Sequence, residues 1–157
     1  MKTKHLIYLF LIITIVASCG KEDDNSPTPT VEDTAVYFRC KLNGRDFTDN
    51  TRFADYFQGT ARVVSYNDIE LIRMDMSKDT VGTYVINSSN ANNKIKYIDS
   101  LQKSFIAISG SIIVTQFDKT KQLASGTFTG VLQEETNSNN RITLTEGKFN
   151  RVLLEPF

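Results

Sequence analysis

The sequence predicts an all-β fold, an antiparallel β-sandwich or partly closed barrel of roughly ten strands with at most one short helix. Three observations carry this expectation. From residue 35 onward apolar and polar side chains alternate with period two, as in Val36-Tyr37-Phe38-Arg39-Cys40-Lys41-Leu42. Turn-forming residues punctuate the alternation, most strongly at Asn43-Gly44, the commonest two-residue hairpin signal. Gly110 and Gly126 lie inside strand patterns, where glycine marks a bulge or sharp bend that lets a sheet curve.

The elements follow in order. A strand over 36–42 turns at Asn43-Gly44 into a second over 45–48. Phe53, Tyr56 and Phe57 are then spaced three and four apart, which predicts a single helical turn or an aromatic loop closing one end of the sheets. Further strands are expected over 61–66, 69–76, 82–86, 95–99, 104–117, 125–132, 141–146 and 148–154. Turns are expected at Asn67-Asp68, over 118–121 and at Gly147. In the long strand Ile106, Ile108, Ile112 and Val114 share one parity, predicting one buried face and one wet face. About 120 residues bury some 65% of their unfolded surface, enough for an independent core.

The amino end has a different composition. Lys2 and Lys4 precede a twelve-residue apolar run over 6–17, too short to cross a hydrocarbon core of about 30 Å but suited to a signal peptide. Val16-Ala17-Ser18-Cys19 resembles the lipobox of bacterial lipoproteins, which implies cleavage before Cys19 and its lipidation, so that the lipid on Cys19 anchors the chain in a membrane. The expected organisation is a signal peptide over 1–18, lipidated Cys19 with an acidic tether over 19–34, and one β-domain over 35–157. The tether is nearly free of apolar residues and contains Pro27 and Pro29, a composition that favours an extended, unfolded segment. Lys21-Glu22-Asp23-Asp24 resembles the signal that exports lipoproteins of Bacteroidota-type bacteria to the cell surface. The implied location is the outer membrane, on its surface or facing the periplasm.

Cleavage would leave 139 residues with 16 basic and 18 acidic side chains, and would remove His5, the only histidine of the 157-residue chain. Without imidazole there is no Ser-His-Asp triad, Cys-His pair or histidine metal ligand. No phosphate-cradling loop, dinucleotide fingerprint or calcium-loop spacing occurs, so no cofactor and no metal are expected. The whole chain balances 18 basic against 18 acidic residues, which speaks against a nucleic-acid face. Paired carboxylates are the remaining catalytic device: Asp46, Asp49 and Asp55, and Glu134 with Glu135. Glu134 and Glu135 open a polar run to Asn140 that reads as a solvated surface loop. Cys40 shares the parity of Phe38 and Leu42 and reads as a small buried hydrophobe.

Phe38-Arg39-Cys40-Lys41-Leu42-Asn43-Gly44-Arg45-Asp46-Phe47 resembles the opening of small Bacteroidota outer-membrane lipoproteins of a domain-of-unknown-function family. Gly82-Thr83-Tyr84, the stretch 109–114, Phe117-Asp118, Ser125-Gly126-Thr127-Phe128 and the stretch 145–149 are similar to that family's later motifs, in the same order. Cys40 and Phe47 depart from the pattern, which favours a smaller residue and Trp at those positions. The resemblance implies an all-β fold and export, and brings no site residues with it. Asp33-Thr34-Ala35, Asp79-Thr80-Val81 and Asp99-Ser100-Leu101 resemble an O-glycan acceptor of exported Bacteroidota proteins, nominating Thr34, Thr80 and Ser100.

Together these features predict a non-catalytic, lipid-anchored module that binds a protein or glycan. Its candidate binding residues are Phe53, Tyr56 and Phe57, with Asn90, Asn92 and Asn139 from two Asn-rich loops. A structural or accessory subunit of an outer-membrane assembly is the alternative, and a carboxylate-based hydrolase the more distant one.

Overall fold

In the computed structural model the described residues are 34–157 except Asn50, Ser88 and Asn90. The predicted lipidation and export residues Cys19, Lys21, Glu22, Asp23 and Asp24 therefore lie outside them, as does Asn90. Among the described residues every regular element is a strand: β1 (Tyr37–Leu42), β2 (Arg45–Thr48), β3 (Thr51–Phe57), β4 (Thr60–Asn67), β5 (Glu70–Met76), β6 (Gly82–Asn87), β7 (Lys94–Ile98), β8 (Ser104–Asp118), β9 (Leu123–Glu134) and β10 (Asn137–Pro156).

The strands form one sheet whose pairing curls back on itself. β3, β4, β5, β7, β8, β9 and β10 pair in succession, and β10 returns to β3. The returning contact, Leu154↔Ala54 to Pro156↔Tyr56, is parallel; the other pairings are antiparallel. β1 pairs with β10 between Leu144 and Asn150 and carries β2 outside it. β6 pairs with the second half of β8, while β7 pairs with the first.

Local chemistry explains the turns. Asn43 and Gly44 both take positive φ (51° and 82°), the pair of left-handed residues that a type I′ hairpin needs. Gln58 and Gly59 repeat this geometry (48° and 82°) between β3 and β4, at a dipeptide with a weaker turn signal. Asn67 Oδ1 accepts the amides of Ile69 and Glu70 and so folds the expected β4–β5 turn. Asp118 Oδ1 does the same for Thr120 and Lys121 after β8.

Period two then sorts the side chains. Along β5 the positions Ile72, Met74 and Met76 are buried, while Leu71, Arg73 and Asp75 are partly exposed. Ala54, Val63, Met74 and Ile95 lie opposite one another across β3, β4, β5 and β7 and form one buried row. On β1, β2, β9 and β10, Phe38, Phe47, Phe128 and Phe149 pack as a chain of rings with centroids 5.0–6.5 Å apart. Each buried ring or aliphatic side chain of this kind contributes roughly 1.5–3 kcal/mol.

Four expectations are corrected. Thr51–Phe57 is strand β3, with neither helical turn nor aromatic loop. Its pairing with β4 over its whole length satisfies the backbone, which outweighs the three-and-four spacing of its rings. The parity of β8 does not run through: Phe105 and Ala107 are buried, then Ile112 and Val114, because a bulge between Ala107 and Ser109 shifts the register. Gly147 sits inside continuous β10, where Glu146 at φ 52° and a register shift between Leu144 and Gly147 bend the strand without ending it. The polar run after Glu134 contains only a turn at Glu135-Thr136, and Asn137 already belongs to β10.

Candidate functional site

The outward face of β3, β4, β5 and β7 holds the most densely functionalised surface. Asp55 lies opposite Arg62, Arg62 opposite Asp75, and Asp75 opposite Lys94, so charge alternates across four adjacent strands. Of these facing positions only Asp55 and Arg62 are joined by hydrogen bonds, the favourable case of opposite charges across a sheet, whereas Asp75 is held by Arg73 of its own strand. Arg62 Nε donates to both oxygens of Asp55 (3.1 and 3.0 Å), and its Nη2 donates to Oδ2 as well. Arg73, two residues from Asp75 on the same face, donates from Nε (2.9 and 3.0 Å) and from Nη2 (2.7 Å). The hydrogen bond to Asp55 raises the pKa of Arg62 above its ordinary value, against the opposing effect of burial.

Two aromatic rings close one end of this row. Phe57 is 51% exposed and Phe157 is 80% exposed, their centroids 6.4 Å apart and their planes nearly perpendicular. The Arg62 guanidinium stands 5.5 Å from the Phe157 centroid. The Phe157 amide donates to the Tyr56 carbonyl (3.1 Å), which holds this ring beside β3. Rings and charged row together line a groove of about 400 Å³, with Asn92 on its rim.

Two of the sequence-nominated binding residues, Phe57 and Asn92, thus meet in one groove. The others do not. Strand alternation divides the aromatic trio: Phe53 faces outward opposite Val64, while Tyr56 turns inward against the core. The Tyr56 ring meets Phe117 edge-on at 6.0 Å and lies under Lys119 Nζ at 4.7 Å. Asn139 is exposed at the start of β10, its amide N–H donating to Asn137 Oδ1. Thr34, Thr80 and Ser100 are all exposed, the last on a turn held by Asp99 Oδ1, which accepts from the Leu101 and Lys103 amides.

The nominated carboxylates are dispersed. Asp49 is bound by Arg52 at 2.8 Å and Asp55 by Arg62, while Asp46 is exposed on β2. Glu134 and Glu135 point to opposite sides: Glu135 is exposed, whereas Glu134 is 6% exposed, which corrects the solvated-loop reading. Asn140 Nδ2 (2.6 Å) and Thr136 Oγ1 (3.0 Å) donate to Glu134, and the first of these chiefly holds its pKa below the usual carboxylate value.

A second polar cluster was not foreseen. Glu70 occupies the inward parity of β5, ahead of Ile72, Met74 and Met76, and is 8% exposed. Arg45 grips it from β2 through Nη2 (2.7 Å) and Nη1 (3.1 Å), and the Tyr97 hydroxyl donates to it from β7. An acid on the apolar parity of a strand was the visible signal; its partners, 25 and 27 residues away, were not. This cluster joins β2, β5 and β7, and its closed hydrogen bonding suits it to structure.

Burial pushes the thiol of Cys40 up to about 12, and Arg45 beside it only partly offsets this. At neutral pH the thiol is therefore protonated as well as 3% exposed. Cys40 in the folded protein should react with a thiol reagent at least about a hundredfold more slowly than after unfolding in urea. Equal rates, followed by absorbance of the released chromophore, would contradict the buried placement.

A larger hollow of about 870 Å³ lies on β1, β2, β9 and β10. Its Cys40, Phe47 and Phe128 are 3% exposed or less, so they offer a ligand little side-chain surface. Among the described residues no group of three or more His, Cys, Asp or Glu is placed to hold a metal ion. No curated protein matches the chain. No solved structure matches it either. Residues 34–153, from the edge of the β-domain almost to the end of β10, match the family described as a domain of unknown function, DUF6252, and the chain belongs to that family.

Proposed function

We propose that the protein is a lipid-anchored, extracytoplasmic binding module that takes a protein or glycan partner in the groove on β3, β4, β5 and β7 and performs no chemistry on it. The residues Val16-Ala17-Ser18-Cys19 support the anchor, and Lys21-Glu22-Asp23-Asp24 support display on the outer membrane of a Bacteroidota-type cell. The observation that carries the binding role is the charged row ending on two wet aromatic rings. Exposed rings cost hydration free energy, and a fixed polar row beside them supplies orientation, the combination that binding sites use. Thr34, Thr80 and Ser100 are exposed, as attachment of O-glycans at their triplets would require.

Site-specific photo-crosslinking on intact cells tests the reading. A benzophenone amino acid at position 57 should give a light-dependent adduct, and the same probe at position 139 should give none. Adducts at 139 alone, or a stoichiometric membrane partner whose capture survives Phe57→Ala, would instead indicate an accessory subunit of an outer-membrane assembly. Mass spectrometry of the membrane fraction should find acylated Cys19 as the first residue.

A further inference from the structure

We propose that the groove is selective for an acidic saccharide, whose anionic group meets Lys94 and whose ring faces pack on Phe57 and Phe157; this rests on the groove being the binding site. Charge balance is the first argument. The groove contains two carboxylates and three cations. Asp55 is paired with Arg62, and Asp75 with Arg73, so both acids are satisfied. Lys94 has no carboxylate within ion-pair distance among the described residues. The alternation therefore ends on an uncompensated cation, and a ligand with a negative group at that point extends it by one step.

Geometry is the second argument. Three strand spacings separate the Asp55 and Lys94 positions, a span of about 14 Å. That length suits a short oligosaccharide lying across the strands. The Arg–Asp pairs retain unused lone pairs and N–H groups, and each pair is already fixed by its own hydrogen bonds. Hydroxyl groups can bind such a surface with little further loss of side-chain freedom. The exposed faces of Phe57 and Phe157 offer apolar contact at the opposite end to Lys94.

A peptide is less well served. Extended peptides usually bind by adding a strand to an open sheet edge. Here β3 is paired with β4 and β10, β4 with β3 and β5, and β5 with β4 and β7. In turn β7 is paired with β8 from Lys96 onward, so the groove floor leaves an open edge of only two residues, Lys94 and Ile95, too short to add a strand.

Isothermal titration of the full-length chain in detergent tests the proposal with four probes: tetragalacturonic acid, a heparin tetrasaccharide, neutral cellotetraose and N-acetyl tetraglutamate. At least one acidic saccharide should bind, weakening with added salt and by about tenfold or more in Lys94→Gln, the loss expected for one charged hydrogen bond. Phe57→Ala should weaken the same ligand, while Asn139→Ala should not. Lys94 is exposed and makes no ion pair among the described residues, so Lys94→Gln should keep the wild-type melting temperature. Equal binding of cellotetraose, untouched by Lys94→Gln but lost in Phe57→Ala, would overturn the acidic preference and leave the groove as the binding site. Binding of tetraglutamate alone would overturn the saccharide class. Failure of all four probes would overturn the proposal, and the crosslink at position 57 then separately decides the binding role.

Discussion

Gly110→Ala is expected to destabilise the protein by about 3 kcal/mol or more, read as a lower urea midpoint at unchanged slope. Two costs combine at this position. Gly110 has φ +143°, a conformation that an L side chain rarely adopts. A Cβ there would also lie 2.2 Å from the Thr129 carbonyl oxygen and 2.7 Å from the Gly130 Cα. Both neighbours are backbone atoms of β9, which is paired on one side with β8 and on the other with β10. Neither can retreat without opening a ladder. The close approach sits beside the bulge where β8 exchanges β7 for β6 as its neighbour, so the sheet's curvature depends on it. Gly44→Ala is the control. Its φ is +82°, but a Cβ would meet nothing within 4 Å, so only the conformational cost of about 1 kcal/mol remains. Equal losses at the two positions would contradict the tight β8–β9 contact.

Glu70→Ala should cost about 2–4 kcal/mol at neutral pH, and Glu70→Gln should flatten the acid limb of the stability profile. The alanine variant leaves the Tyr97 hydroxyl without its carboxylate acceptor and strips Arg45 of its counter-charge. Arg45 is 56% exposed in its side chain, so water recovers part of that loss, and the figure stays below that of a fully buried pair. Burial pushes the Glu70 pKa upward, but hydrogen bonds from Arg45, Tyr97 and Asn67 outweigh it and bring the carboxyl below its ordinary 4.5. In the folded protein the group therefore holds its proton less tightly than in the unfolded chain. Its stabilisation is complete above the ordinary value and fades as pH falls from about 4.5 through the lower folded value. The amide variant lacks this proton uptake, so its midpoint should vary less over that window. A Glu70→Gln profile as steep as wild type would show that other carboxylates govern acid unfolding.

Much of the architecture was legible because its signals are local. Alternation along 36–42 and 69–76, and the hairpin at Asn43-Gly44, depend on neighbouring residues and a turn dipeptide, and the structure retains them. Buried Cys40 followed from parity alone. The misread stretches show where local signals fail. The rings of Phe53, Tyr56 and Phe57 have helical spacing, yet β4 and β10 supply the strand partners that decide the matter. The isoleucines of β8 change role because one bulge reverses inward and outward beyond it.

The candidate groove was half legible. Phe57 and Asn92 were named for their chemistry, while no local signal singled out Arg62, Asp75 and Lys94. Their alternation exists only in the register of β3 with β4, β4 with β5 and β5 with β7. By itself the sequence determined that this is a β-rich domain of period-two strands, and where several of its turns fall, since these are short-range consequences of side-chain type. Only the tertiary structure decided that the sheet returns from β10 to β3, which face of each long strand is wet, and which charges stand side by side. Those outcomes depend on bulges and on pairings between residues as much as a hundred positions apart, such as Leu154 with Ala54.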